Sequence, residues 1–193
     1  MRSRRVIIVW AVLAILLGIV LVIEYRDVMA SRSTRATRAD GAMLVPVPVA
    51  ELGAVEIAEA GTLHRFERNA SGAWFYHGVH TGSEGAHEHD ANAATSGRID
   101  AAFQAFGRTR IERRLPAGTD PRSHGLTAPR VLVIVYRQNE NQPLAQYAVG
   151  DVAPDTVSRY VDMVGAGIVT IPGYQIDNLL SLVAAVRGAV PQR

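Results

Sequence analysis

A run of eighteen apolar residues without a charge, residues 6–23, constrains this chain more than any other feature. As a helix it would be about 27 Å long at 1.5 Å per residue, and the hydrocarbon core of a bilayer is about 30 Å thick. Trp10 and Tyr25 suit the two membrane interfaces, where aromatic side chains are enriched. The run therefore predicts a transmembrane anchor over residues 1–25.

A cleaved signal peptide is the alternative reading of this segment. Residues 28–30 offer small side chains for a cleavage site, but the apolar run is long for a signal peptide and a charged spacer, residues 24–27, follows it. Arg2, Arg4 and Arg5 precede the run closely, whereas acids interrupt the arginines after it. We therefore expect an uncleaved anchor with its N-terminus in the cytoplasm.

The charge of the chain is unevenly distributed. Residues 1–45 carry seven arginines against three acids, a net of +4, whereas residues 46–193 carry 13 arginines against 15 acids, a net of −2. The mildly acidic second part argues against nucleic acid as the partner. The chain has no cysteine and no lysine, which excludes disulfides, thiolate metal ligands, a P-loop lysine and Schiff-base chemistry.

Residues 26–45 are rich in Arg, Ser, Thr and Ala and have no apolar periodicity, which predicts a flexible tether. Its arginines either lie along anionic headgroups or stay solvated.

From residue 46 the pattern is that of a folded α+β domain, residues 46–193. Alternating apolar residues and turn signals predict three strands up to Tyr76. Residues 131–136 (VLVIVY) predict a central strand that pairs with a returning strand, residues 144–149, and another hairpin follows. Ile99, Phe103 and Phe106 recur at helical spacing before Gly107, and a second apolar helix closes the chain. This order predicts a largely antiparallel sheet of meander-plus-helix units, with the helices on one face.

Residues 55–187 resemble a bacterial family, the domain of unknown function 4340. The resemblance is carried by Trp74, by the helix with Phe103, and by residues 125–129 (GLTAP) directly before an apolar strand. His124 and Thr127 depart from the family pattern. Members include gliding-motility auxiliary proteins and proteins encoded beside ABC-type transporters. The resemblance implies no catalytic residue; it implies an envelope setting, a membrane anchor and association with a larger membrane assembly. Together with the predicted anchor, it leads us to expect a single-pass protein of the bacterial inner membrane whose domain lies in the periplasm.

A histidine-rich loop is predicted at residues 77–90, with Glu84, Glu88 and Asp90 nearby. Its four histidines are His77, His80, His87 and His89. Neutral imidazoles at these spacings suit Zn or Cu. A solvated insertion with weak metal affinity, or a pH-sensitive contact, explains the same residues.

Four arginines follow the first helix and predict a surface for an acidic protein partner or anionic headgroups. They are Arg108, Arg110, Arg113 and Arg114. The alternative is local pairing with helix carbonyls and Glu112.

Catalytic motifs are weak: Ser123 and His124 are neighbours, but no nucleophile elbow and no phosphate-binding glycine pattern is present. The sequence therefore predicts a non-enzymatic accessory protein that supports a membrane protein assembly. The alternative is a Zn- or Cu-binding delivery or sensing module that uses the histidine-rich loop.

Overall fold

A computed structural model describes residues 41–79 and 93–189 of the chain. Within these residues, no helix has the length and apolar character needed to cross a membrane. The predicted anchor, the tether up to residue 40, and His80, His87 and His89 lie outside the described residues.

The described residues form one eight-stranded sheet and two α-helices, which confirms the predicted α+β fold. The strands are β1 Leu52–Glu59, β2 Thr62–Arg68, β3 Trp74–Val79, β4 Arg113–Arg114, β5 Val131–Arg137, β6 Pro143–Val152, β7 Ser158–Met163 and β8 Gly167–Pro172. The helices are α1 Ala93–Gly107 and α2 Tyr174–Ala189. Their order in the sheet is β3-β2-β1-β5-β6-β7-β8-β4, and each pair of neighbours is antiparallel.

Two meanders build this sheet. The first consists of β1, β2 and β3, and the second of β5 to β8. They join through the pairing of β1 with β5, in which Val55 lies opposite Val135. Each meander is followed by a helix, and α1 lies in the chain between β3 at one edge of the sheet and β4 at the other.

Both helices pack on the same face of the sheet. Period-two alternation turns Val55 and Ile57 of β1 toward this face, where both are buried. Phe103 of α1 makes edge-to-face contacts with Phe66 at 5.5 Å and with Trp74 at 4.8 Å between ring centroids. Apolar residues of α2 belong to the same core, which confirms the predicted placement of the helices.

The folded domain begins before residue 46, where the tether was predicted to end. Leu44 and Val45 are buried in the core. The carbonyl of Leu44 accepts a 3.0 Å hydrogen bond from the hydroxyl of Tyr147. These residues belong to the domain because they are apolar and have a strand to pack against, which local composition does not reveal.

The second face of the sheet is covered in part by residues 115–130, which we term the cover segment. Leu126 is buried against Ala148 and Ile168. Gly125 has a positive φ of 68°, which lets the chain turn onto the sheet. A Cβ atom at Gly150 would lie 2.2 Å from the carbonyl oxygen of His124, so only glycine allows the observed approach. The GLTAP sequence is therefore part of this cover.

Candidate interaction surface

The predicted partner arginines lie on an extended segment, residues 108–115, at the edge of the sheet that β4 occupies. On one side this segment binds the start of the domain, since Leu44 N donates to Thr109 O and Ile111 N donates to Ala42 O, each at 2.9 Å. Further along, Leu115 N donates to Ile168 O of β8 at 2.9 Å. The segment therefore joins the beginning of the domain to the sheet edge.

Alternation along the segment separates buried from exposed side chains. Thr109 and Ile111 are almost fully buried, whereas Arg108, Arg110 and Arg114 are exposed. We term these three arginines the arginine strip. At about 3.3 Å per residue, its ends lie roughly 20 Å apart along the chain.

Arg113 differs from the three arginines of the strip. It is half-buried and lies opposite Thr170 of β8. Its charge acts on a residue of the domain, Asp155. The pKa of Asp155 is lowered mainly by the hydrogen bonds of Ser158 and, to a smaller degree, by the positive charge of Arg113. Of the four predicted residues, the structure therefore exposes three together and turns the fourth toward the domain.

The arginine strip has no ion-pair partner among the residues that the structure describes. Glu112, the local acid that the alternative reading pairs with these arginines, instead accepts a 2.7 Å hydrogen bond from the hydroxyl of Ser158. Because a guanidinium binds carboxylates in a two-pronged fashion, unpaired exposed arginines suit an acidic partner.

His77 lies inside β3, which extends to Val79, so residues 77–79 are not part of the predicted histidine-rich loop. Its Nδ1 atom is 3.1 Å from Oε2 of Glu67. Burial raises the pKa of Glu67, but the hydrogen bonds from His77 and Arg65 outweigh burial and leave the pKa below its ordinary value. His77 therefore has a structural contact that the sequence did not indicate.

The contact of His77 continues as a row of polar groups across the sheet. Arg65 bonds Glu67 and donates from Nη1 to Glu56 Oε1 at 2.6 Å. Glu56 also accepts a 2.7 Å bond from the hydroxyl of Tyr136. We term this group of five side chains the polar row: His77, Glu67, Arg65, Glu56 and Tyr136. Within the row, Arg65 bonds the carboxylates of both Glu56 and Glu67, so its guanidinium is engaged inside the domain.

The predicted metal site is outside the reach of the structure, since three of its four histidines lie beyond the described residues. Within the described part of the chain, no three His, Asp or Glu side chains come together as a metal site. The metal site therefore stays a prediction.

His64 is a buried histidine of the core. Its Nδ1 atom lies 2.8 Å from the hydroxyl of Tyr76, and Nε2 has no hydrogen-bond partner. Burial and, to a smaller degree, the charge of Arg187 lower the pKa of His64. His64 and Phe66 lie two residues apart on β2, and both are buried on the same face.

Comparison of the chain with protein-family models, with curated proteins and with solved structures finds no match. The resemblance to the domain of unknown function 4340 family therefore stays a prediction.

Proposed function

We propose that this chain is a membrane-anchored, non-enzymatic accessory protein of the bacterial inner membrane. In this proposal residues 6–23 span the membrane with the N-terminus in the cytoplasm, and the α+β domain lies in the periplasm. The arginine strip binds an acidic surface of a larger membrane protein assembly. The unpaired charge of Arg108, Arg110 and Arg114 is the observation that carries this proposal.

The position of the strip supports a partner at the membrane. A Cβ atom at Gly41 would lie 3.0 Å from Nη1 of Arg110, so the strip lies beside the point where the chain enters the domain. Residues 26–40 connect this point to the predicted anchor, residues 1–25, and fifteen residues reach at most about 50 Å when fully extended. The strip is therefore held within reach of proteins embedded in the same membrane.

Several other arginines of the domain are already paired, unlike the three of the strip. Arg65 bonds two carboxylates, and Arg122 and Arg159 each pair with a nearby aspartate. Binding of these side chains to a partner would first break an internal pair. The strip has no such pair to break. The free energy needed to bind an incoming carboxylate is therefore lower at the strip than at a paired arginine.

Charge reversal of the strip tests the proposal. In cells, the full chain is crosslinked mildly and purified under native conditions, and the Arg108→Glu/Arg110→Glu/Arg114→Glu variant is compared with wild type. We expect the wild type to be recovered with a membrane protein and the variant to lose it. The matched control reverses the same amount of charge at three exposed arginines elsewhere, namely Arg98, Arg122 and Arg130.

The control variant should keep the partner, because its arginines lie outside the strip. Recovery of the wild-type chain alone and monomeric would contradict the proposed function. Equal loss of the partner in both charge-reversal variants would mean that net charge, rather than the strip, determines binding.

A further inference from the structure

Large exposed apolar side chains of the described residues are concentrated at one corner of the domain. Four of the five lie there: Met43 is 44% exposed, Val152 49%, Val157 67% and Tyr174 60%. We term these four residues the apolar corner. The fifth, Val164, follows β7 and so lies at the opposite end of the sheet. Scattered apolar residues on a surface are ordinary, but a group of them marks a contact surface.

Three residues of the corner surround one end of the second meander. Val152 is the last residue of β6, and Val157 directly precedes β7. The amide of Gly173 donates a 2.8 Å hydrogen bond to the carbonyl of Val157. This bond holds the next residue, Tyr174, beside Val157.

Met43 reaches the same corner from the beginning of the domain. The carbonyl of Ala42 accepts a bond from the amide of Ile111. The next residue, Glu112, is bound by the hydroxyl of Ser158, which directly follows Val157 in the chain. Two hydrogen bonds therefore connect the residues around Met43, through residues 111 and 112, to the turn that carries Val157.

Apart from Asp151, the charged groups around the corner are either basic or engaged in hydrogen bonds and ion pairs. Arg110 of the arginine strip forms a β-bridge with Met43. Asp155 accepts hydrogen bonds from the amides of Val157 and Ser158, and Asp177 pairs with Arg159 at 3.5 Å. Asp151 is exposed beside Val152 and is the carboxylate that a membrane surface must tolerate.

We infer that the apolar corner docks into the interfacial layer of the bilayer. This inference rests on the proposed function, because it requires the membrane anchor. The described domain begins at Gly41, close to Met43, and the fifteen residues 26–40 separate Gly41 from the predicted anchor, residues 1–25. Tyrosine favours the membrane interface, and arginine is attracted to anionic headgroups. The corner therefore has the composition and the position of a membrane contact.

Docking restricts where a partner binds. The arginine strip is continuous with the corner through the bridge between Arg110 and Met43. With the corner in the interfacial layer, the strip lies along the membrane surface. The acidic residues of the partner then lie at the membrane surface too.

The absence of cysteine from the chain allows a direct test. The full chain is labelled with a fluorophore at Met43→Cys and reconstituted in vesicles of phosphatidylethanolamine and phosphatidylglycerol. Iodide quenching from the aqueous phase is measured. We compare the labelled Met43→Cys chain with a labelled chain that also carries Val157→Asp and Tyr174→Asp. We expect iodide quenching to be roughly threefold weaker in the first, because charged residues oppose insertion into the membrane.

Two controls accompany the test. Val164→Asp changes the exposed apolar residue at the other end of the sheet and should leave the Met43 label protected. A label at Ala70→Cys lies in the β2–β3 turn, about 30 Å from β4 by strand spacing, and should be quenched equally in all variants.

Several results would overturn the docking. Equal quenching at Met43 with and without the two aspartates means that the corner stays in water. Protection that is lost on dilution of the protein, or that requires an added membrane protein, means that another chain covers the corner. Flotation separates the two proposals: a chain that does not float with the vesicles refutes the anchor and the docking together, whereas a floating chain with an accessible corner refutes the docking alone.

Discussion

The hydroxyl of Tyr136 donates a 2.7 Å hydrogen bond to Oε2 of Glu56, a residue 80 positions earlier in the chain. The two residues lie on β5 and β1, the strands through which the two meanders join. Burial of the phenol and its bond to Glu56 raise the pKa of Tyr136 to about 12. The bond therefore belongs to the junction of the two halves of the sheet.

Removal of this hydroxyl should destabilise the domain. Tyr136→Phe deletes one donor to a carboxylate that is almost buried, so we expect the free energy of unfolding to fall by about 1–2 kcal/mol. Urea denaturation of the full chain measures the change. Tyr174→Phe is the matched control, because that side chain is largely exposed and its hydroxyl takes part only in a long 3.4 Å contact. An equal loss in both variants would contradict the assigned role of Tyr136.

His64 should make the stability of the domain sensitive to mild acid. Burial, with a smaller contribution from Arg187, lowers the pKa of His64 from its ordinary value of 6.5. The unfolded chain then binds a proton at this residue before the folded chain does, so the free energy of unfolding falls as the pH decreases below about 6.5. The loss continues until the pH passes the lower pKa of the folded state.

The measurement is the midpoint of urea unfolding between pH 7 and 5, compared for wild type and His64→Leu. We expect a smaller dependence on pH in the variant, because the buried titrating group has been removed. His124→Leu is the control, since His124 is only partly buried and stacks on Tyr160 at 4.2 Å. If His64→Leu kept the full pH dependence of the wild type, the acid sensitivity would have to come from other groups.

Local patterns were sufficient to predict most strands and both helices. The alternation around Val55, the apolar run of β5 and the helical spacing of Phe103 each depend on neighbours within one element. The short edge strand β4 begins at Arg113, and Ile111 is buried before it, although both belong to one extended segment. Element type therefore follows from local sequence, whereas the bounds of short elements do not.

Contacts between distant parts of the chain could not be predicted in the same way. The bond between Tyr136 and Glu56 and the pairing of residues 42–44 with residues 109–111 depend on the order of strands in the sheet. The sequence did predict a cluster of arginines, but the direction of each side chain depends on which neighbours in the segment are buried. The apolar corner has no local signal at all, because Val157 and Tyr174 resemble ordinary single apolar residues in the sequence.

The cover segment should respond to a single added methyl group. In Gly150→Ala the new Cβ would lie 2.2 Å from the carbonyl oxygen of His124, a backbone atom that moves only with the segment. We expect the free energy of unfolding to fall by about 2–3 kcal/mol, which is typical of overpacking.

A second glycine provides the control for this prediction. Gly97 lies within α1, and a Cβ atom there would meet no other atom within 4 Å. Gly97→Ala should stabilise the domain by about 0.5–1 kcal/mol, because alanine loses less conformational freedom in a helix. Thermal unfolding of the two variants should therefore shift in opposite directions. A shift in the same direction would contradict the close approach between Gly150 and the cover segment.

The accessory function and the metal function differ in their prediction for zinc binding. If the histidines outside the described residues are a solvated insertion, isothermal calorimetry of the full chain should give only weak heats without saturation. The His80→Ala/His87→Ala/His89→Ala variant should then behave like wild type, and so should His77→Ala. Saturable binding in the low-micromolar range that disappears in the triple variant would instead favour the metal function, since imidazoles at these spacings can meet at one zinc ion.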